Sequence, residues 1–136
     1  MILDTCFLIA LRNKDDENHQ KAQELMKNVL KGTYGTIIVT DYVYDEIMTL
    51  AMIRTNKKAL IKDIEDYIFK SKKIKFIYMN EKQFLTTKDV FKKYFDHKLS
   101  FTDSSLLALQ NTLTAPSFIA TFEEPLSKLV NLVPGM

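Results

Sequence analysis

The chain has 136 residues, 46% of them hydrophobic and 26% charged, with a formal net charge of +2. That length suits a single domain over residues 1–136 with one core, and no apolar run approaches the roughly 20 residues that cross a bilayer. The first residues lack the basic segment and long apolar core of a secretory leader. The only cysteine, Cys6, cannot close an internal disulfide, so the expectation is a cytoplasmic protein without membrane contact.

Met1–Leu3 is a short apolar run that stops at Asp4. Thr5–Leu11 reads as a short helix and Arg12–Asp16 as a polar turn. From Glu17 to Leu30, apolar residues recur at Ala22, Leu25, Met26, Val29 and Leu30, the three-and-four spacing of an amphipathic helix. Gly32 and Gly35 end it. Thr36–Thr40 is β-branched throughout and predicts a buried strand. Helical spacing returns from Asp41 to about Arg54 and again from about Lys57 to Phe69. Ile74–Met79 predicts a third strand, and Asn80 an N-cap for a helix over Glu81–Phe95. Ser100 or Thr102 can cap the next helix, Asp103–Asn111, with Ser100 and Asp103 spaced as a capping box. Phe118–Thr121 predicts a fourth strand. A short helix near Pro125–Val130 and an edge strand at Leu132–Val133 close the chain.

Strands alternating with helix pairs predict a parallel sheet with right-handed crossovers and helices on both faces. In such sheets the functional crevice lies beyond the carboxyl ends of the strands. Four acids fall near that edge. Asp4 follows the first strand, and Glu46 lies about one and a half turns into the helix after the second. Asp103 opens a late helix, and Glu123 follows the fourth strand. Each has an ordinary alternative: Asp4 suits an N-cap, and Asp103 complements a helix dipole. Glu46 suits a solvated helix face, and Glu123 with Glu124 an exposed pair. The joint pattern argues for a cluster, because four separate segments bring an acid to one edge beside apolar sequence.

Gathered carboxylates repel one another and lose hydration, so they need a cation or protons. Oxygen ligands favour a hard ion, Mg²⁺ or Mn²⁺, over zinc. Such an ion activates water and offsets phosphoryl charge, which suits a phosphodiester substrate.

The segment Met1-Ile2-Leu3-Asp4-Thr5-Cys6-Phe7-Leu8 resembles the opening strand and helix of a PIN domain. Asp41-Tyr42-Val43-Tyr44-Asp45-Glu46-Ile47 resembles the second acidic motif of that family, with Glu46 as the acid. Leu99-Ser100-Phe101-Thr102-Asp103-Ser104 resembles the third, with Asp103. Phe118-Ile119-Ala120-Thr121-Phe122-Glu123 resembles the fourth, where an acid follows a threonine by two. The four motifs stand in family order over nearly the whole chain. The family usually has Asp at the fourth position, where this chain has Glu123, and Glu124 is an alternative occupant.

The resemblance implies a three-layer α/β/α sandwich around a parallel sheet of four to five strands. It implies a metal-dependent ribonuclease that leaves 5′-phosphate and 3′-hydroxyl ends, often the toxin of a VapBC-type toxin–antitoxin pair, and commonly a homodimer. On that reading Asp4 and Asp103 hold Mg²⁺ or Mn²⁺ most directly, and Glu46 and Glu123 complete its shell. The partners implied are an RNA substrate and an antitoxin protein. The alternatives are a housekeeping PIN nuclease in ribosomal or transfer RNA maturation, and a PIN domain that binds RNA or protein without cutting.

Other residues carry weaker signals. Thr5 and Thr102 are candidates to orient the acids or a phosphate, or act as local caps. Cys6 reads as a packed thiol, and His19 and His97 as residues without a catalytic part. Tyr34, Tyr42, Tyr44 and Tyr78 suit either base stacking or packing. The lysine-rich stretch from Arg54 to Lys75 suits either a phosphate-facing surface or a solvated helix face. Met48, Met52, Ile53 and the Leu60–Ile68 helix are candidate interface material, with core packing the alternative.

Overall fold

A computed structural model describes residues 1–32 and 34–136. In chain order the elements are Ile2–Leu3 (β1), Thr5–Arg12 (α1), His19–Val29 (α2), Ile37–Thr40 (β2), Asp41–Thr55 (α3) and Lys58–Lys70 (α4). Then follow Ile74–Ile77 (β3), Glu81–Lys93 (α5), a 3-10 turn over Phe95–His97, Phe101–Thr112 (α6), Ile119–Ala120 (β4) and Glu124–Ser127 (α7). The strands form one parallel sheet in the order β3-β2-β1-β4, within a three-layer α/β/α arrangement. The strands are shorter than the apolar runs that predicted them. Leu132 makes only an isolated bridge to Ile119, so the expected edge strand at Leu132–Val133 does not extend the sheet beyond four strands.

Side-chain caps set several helix boundaries. Asp4 caps α1 by accepting from the Thr5 amide, and Thr40 caps α3 by accepting from the Val43 amide. Asn80 with Gln83 and Ser100 with Asp103 form reciprocal capping boxes on α5 and α6. Each cap satisfies amides that the first helical turn leaves unpaired. Of the two expected caps for α6, Ser100 is the one used, so the helix begins two residues earlier than its apolar pattern suggests.

The core explains why two residues suffice for β1. Ile2 and Leu3 are fully buried, as are Phe7, Leu8, Val39 and Ile47 around them. Burying each such side chain contributes about 1.5–3 kcal/mol. The backbone of β1 is bonded on both sides, to β2 and β4.

This order also positions the carboxyl edge. The chain leaves β1 to build β2 and then β3 on one side, and returns to place β4 on the other. The strand order therefore reverses at β1, which is where a parallel sheet opens a crevice. Leu3 pairs with Ala120, so Asp4 and Thr121 emerge side by side at that edge.

Candidate active site

A cleft of about 290 Å³ lies at this edge, and Asp4, Glu46, Asp103 and Glu123 all line it. Glu46 reaches it because α3 starts directly after β2, with Thr40 capping the helix. All four expected acids thus share one cavity, although they come from four separate segments. Glu124, the alternative fourth acid, is exposed and pairs instead with Lys128 at 2.8 Å.

Asp4 is buried, at 1% exposure. Its Oδ1 accepts from the Thr5 amide at 2.6 Å. Its Oδ2 accepts from the Thr121 hydroxyl at 2.6 Å and from the Cys6 thiol at 3.2 Å. Loss of hydration raises the carboxyl to about 7, and the nearby charge of Asp103 pushes the same way. The three donors oppose that rise without cancelling it.

Glu46 is half-buried, and its Oε2 accepts from the Thr5 hydroxyl at 2.7 Å. Burial raises its carboxyl, the Thr5 bond opposes the rise, and the charges of Asp103 and Glu123 add to it. Asp103 accepts from the Ser100 amide at 3.1 Å while its own amide donates to the Ser100 hydroxyl at 2.9 Å. Burial raises its carboxyl too, against those bonds to Ser100. Glu123 is exposed, and its amide donates to the Thr121 hydroxyl at 2.9 Å.

Three acids are therefore held in positions that favour uptake of a proton or a cation. Among the described residues, no three His, Cys, Asp or Glu side chains already converge as a complete set of metal ligands. The reason is visible in their bonds: Asp4 faces Thr121, Glu46 faces Thr5, and Asp103 turns back on Ser100. The donor set is nonetheless anionic and rich in oxygen, which fits a hard divalent cation such as Mg²⁺ or Mn²⁺. Arg54 and Lys98 also line the cleft, and neither is in an ion pair among the described residues.

Several weaker expectations resolve at this point. Thr5 orients an acid, as one reading had it, whereas the Thr102 side chain makes no such bond among the described residues. Cys6 is more than a packed thiol: besides its bond to Asp4, its sulfur accepts from the Phe122 amide at 3.1 Å, and burial holds the thiol protonated. His19 contacts the Ala10 carbonyl at 2.7 Å through Nδ1, away from the cleft-lining residues. Tyr34, Tyr42 and Tyr44 pack against Phe118, Phe101 and Phe69 respectively, while Tyr78 is 76% exposed. In the lysine-rich stretch, Lys57 pairs with Asp15, and Lys62 and Lys70 pair with Asp66, so three of its eight cations sit in exposed ion pairs. The Ser100–Asp103 capping box was expected from the spacing, whereas Thr121 and Lys98 carried no assignment from the sequence. The spacing to Glu123, two residues on, was the available signal for Thr121.

Comparison with known proteins adds to this geometry. The PIN domain family matches residues 1–129. A crystal structure of the Mycobacterium tuberculosis toxin VapC20, described as cleaving the sarcin-ricin loop, superposes with a TM-score of 0.80 at 17% identity. The match covers 93% of this chain and 92% of that one. VapBC2 from Rickettsia felis, bound to a DNA fragment from their promoter, superposes with a TM-score of 0.62 at 16% identity, covering 97% and 94%. Both likenesses are of fold. No curated protein sequence matches the chain.

Proposed function

Because the chain belongs to the PIN domain family, we propose that its acidic cleft is the active site of a divalent-metal-dependent endoribonuclease. Asp4, Glu46, Asp103 and Glu123 are the residues that hold the ion. The observation that carries this reading is the shared cleft, in which buried Asp4 is raised to about 7 partly by the charge of Asp103. A cation relieves that cost more completely than a proton, since it serves several carboxylates together.

The chemistry a bound Mg²⁺ or Mn²⁺ supplies is a lowered pKa for water and compensation of phosphoryl charge. The protein's own side chains do the rest. Asp4 is fixed through Thr121, Cys6 and Thr5, and Thr5 fixes Glu46 as well, so one residue positions two acids. Ser100 fixes Asp103. Such second partners hold ligands in place and strengthen binding. Arg54 and Lys98 bind and orient the phosphates of the RNA backbone against an otherwise acidic wall.

The finer reading is the toxin of a VapBC-type pair, active as a homodimer in the cytoplasm and restrained by an antitoxin. Fold likeness to VapC20 and to VapBC2 supports it. Met52 and Ile53, 53% and 68% exposed on α3, supply apolar surface for a second copy.

The test is incubation with a mixed labelled RNA pool in Mg²⁺, in Mn²⁺ and in chelator, beside Asp103→Asn. Cutting that needs the metal and fails in the variant is the expected result. Folded protein that cuts with neither metal overturns the nuclease reading in favour of a PIN domain that binds without cleaving. Growth arrest on expression, relieved by the product of a neighbouring gene, separates a toxin from an RNA-maturation enzyme.

A further inference from the structure

A second cavity, of about 410 Å³, opens beside the acidic cleft, with Phe91, Phe95, Asp96 and Leu99 in its wall. Lys98 and Ser100 line both cavities, so the two adjoin along one loop. Phe95 is 69% exposed. Its ring meets Phe91 edge-on, with centroids 6.4 Å apart, and Phe91 in turn packs against Phe101 at 5.9 Å. The exposed ring is thus the outermost of an aromatic row anchored on α6.

The backbone between the cavities is held in an uncommon shape. Lys98 has φ 55, the left-handed region that residues other than Gly rarely adopt. Its amide donates to the Phe95 carbonyl at 3.1 Å, closing the 3-10 turn that carries the ring. Lys92, Lys93 and Lys98 lie in this segment against one acid, Asp96. None of the three lysines is in an ion pair among the described residues.

An exposed aromatic face, Lys98 without an ion pair among the described residues and the Asp96 carboxylate, able to accept from base amino groups, suit an unstacked nucleotide. We propose that this pocket takes one unpaired nucleobase of the RNA whose backbone enters the acidic cleft, stacked on Phe95, with Lys98 on the adjoining phosphate. The inference rests on the ribonuclease reading of the cleft and adds to it a contact for one base. A base still paired in a duplex cannot present its face to the ring.

The experiment is fluorescence anisotropy with a labelled single-stranded RNA decamer in chelator, so that nothing is cut. A parallel set of decamers each carries one abasic position. Phe95→Ala is expected to weaken binding on the order of tenfold, with Phe95→Trp restoring it. One abasic position should weaken wild-type binding by a similar factor and leave Phe95→Ala unaffected. Equal affinity of wild type and Phe95→Ala overturns the proposal, as does an abasic series that the variant feels equally. Failure of wild type to bind the decamer overturns it as well. A change of oligomeric state in Phe95→Ala, with RNA affinity unchanged, assigns the ring to a protein interface instead. Wild type that binds in the expected manner yet cuts no RNA with metal sinks the nuclease reading and leaves the base pocket standing. Cutting by a protein indifferent to Phe95 does the reverse.

Discussion

The Thr121 hydroxyl donates to Asp4 Oδ2 at 2.6 Å across 117 residues of chain, and both side chains are buried. The bond follows from the sheet register, since Leu3 and Ala120 are paired and the next residue of each strand is Thr121 or Asp4. Thr121→Val keeps the shape and removes the donor. Leaving a buried carboxylate oxygen short of a partner costs about 1–3 kcal/mol. Urea unfolding at pH 8 should show that loss, and RNA cleavage should fall with it. Thr121→Ser should restore both, and a Val variant as stable and active as wild type would show that the bond does not matter.

Stability should depend on pH in a direction opposite to that of a salt-bridged acid. Asp4 titrates near 3.8 when unfolded and about 7 when folded. Its contribution is complete below pH 4 and is lost as pH rises through about 7, an effect on the order of a few kcal/mol. Asp103 and Glu46 are raised as well and act in the same sense. The acids with lowered values, Asp63 paired to Arg12 among them, lose their stabilisation only at more acidic pH. In chelator the melting temperature should therefore be higher at pH 5.5 than at pH 8, and Asp4→Asn should flatten that difference. Adding Mg²⁺ should raise the melting temperature more at pH 8, because protons compete for the same oxygens.

Asp103→Asn separates activity from stability. An Asn side-chain oxygen can still accept from the Ser100 amide, so the cap on α6 survives, while the charge that raises Asp4 is gone. Cleavage should drop at least about 100-fold, while the metal-free protein melts at the same temperature or higher. A large loss of stability at pH 8 would contradict this account of the cluster.

Glu123 is the most loosely held of the four. It is exposed, and no side chain among the described residues fixes its carboxylate. Glu123→Gln should lower cleavage by roughly tenfold, the lower end of the effect of losing a group around a metal, and less than Asp4→Asn does. Side-by-side rates under saturating Mg²⁺ decide the order. An equal loss in the two variants would place Glu123 on a par with Asp4.

The acids themselves were legible because strand ends and helix starts can be read from local pattern. Asp4 ends an apolar run, Asp103 stands three residues after Ser100, and Glu46 follows a β-branched strand. Their supports were less so. That Cys6 bonds Asp4 depends on how the first turn of α1 meets the Phe122 backbone, a contact set by the β1–β4 register. Arg54 and Lys98 come to one rim from segments 44 residues apart in sequence, with no local signal of their convergence. The lysine-rich stretch left two readings open for the converse reason. Its charge is plain in the sequence, but the acids that neutralise part of it include Asp15, far back in the chain.

The pairing of β1 with β4 also bears on when the acid cluster is complete during synthesis. Asp4 is made 117 residues before the Thr121 hydroxyl that holds it, and β1 long before the β4 strand that flanks it. A chain still emerging from the ribosome holds Asp4, Glu46 and Asp103 without the strand that locks the first of them. Contacts this distant in sequence are also slow to close. The acid cluster is thus incomplete until β4 and the residues just after it have been made, and a product truncated before Ile119 lacks β4, Thr121 and Glu123 together.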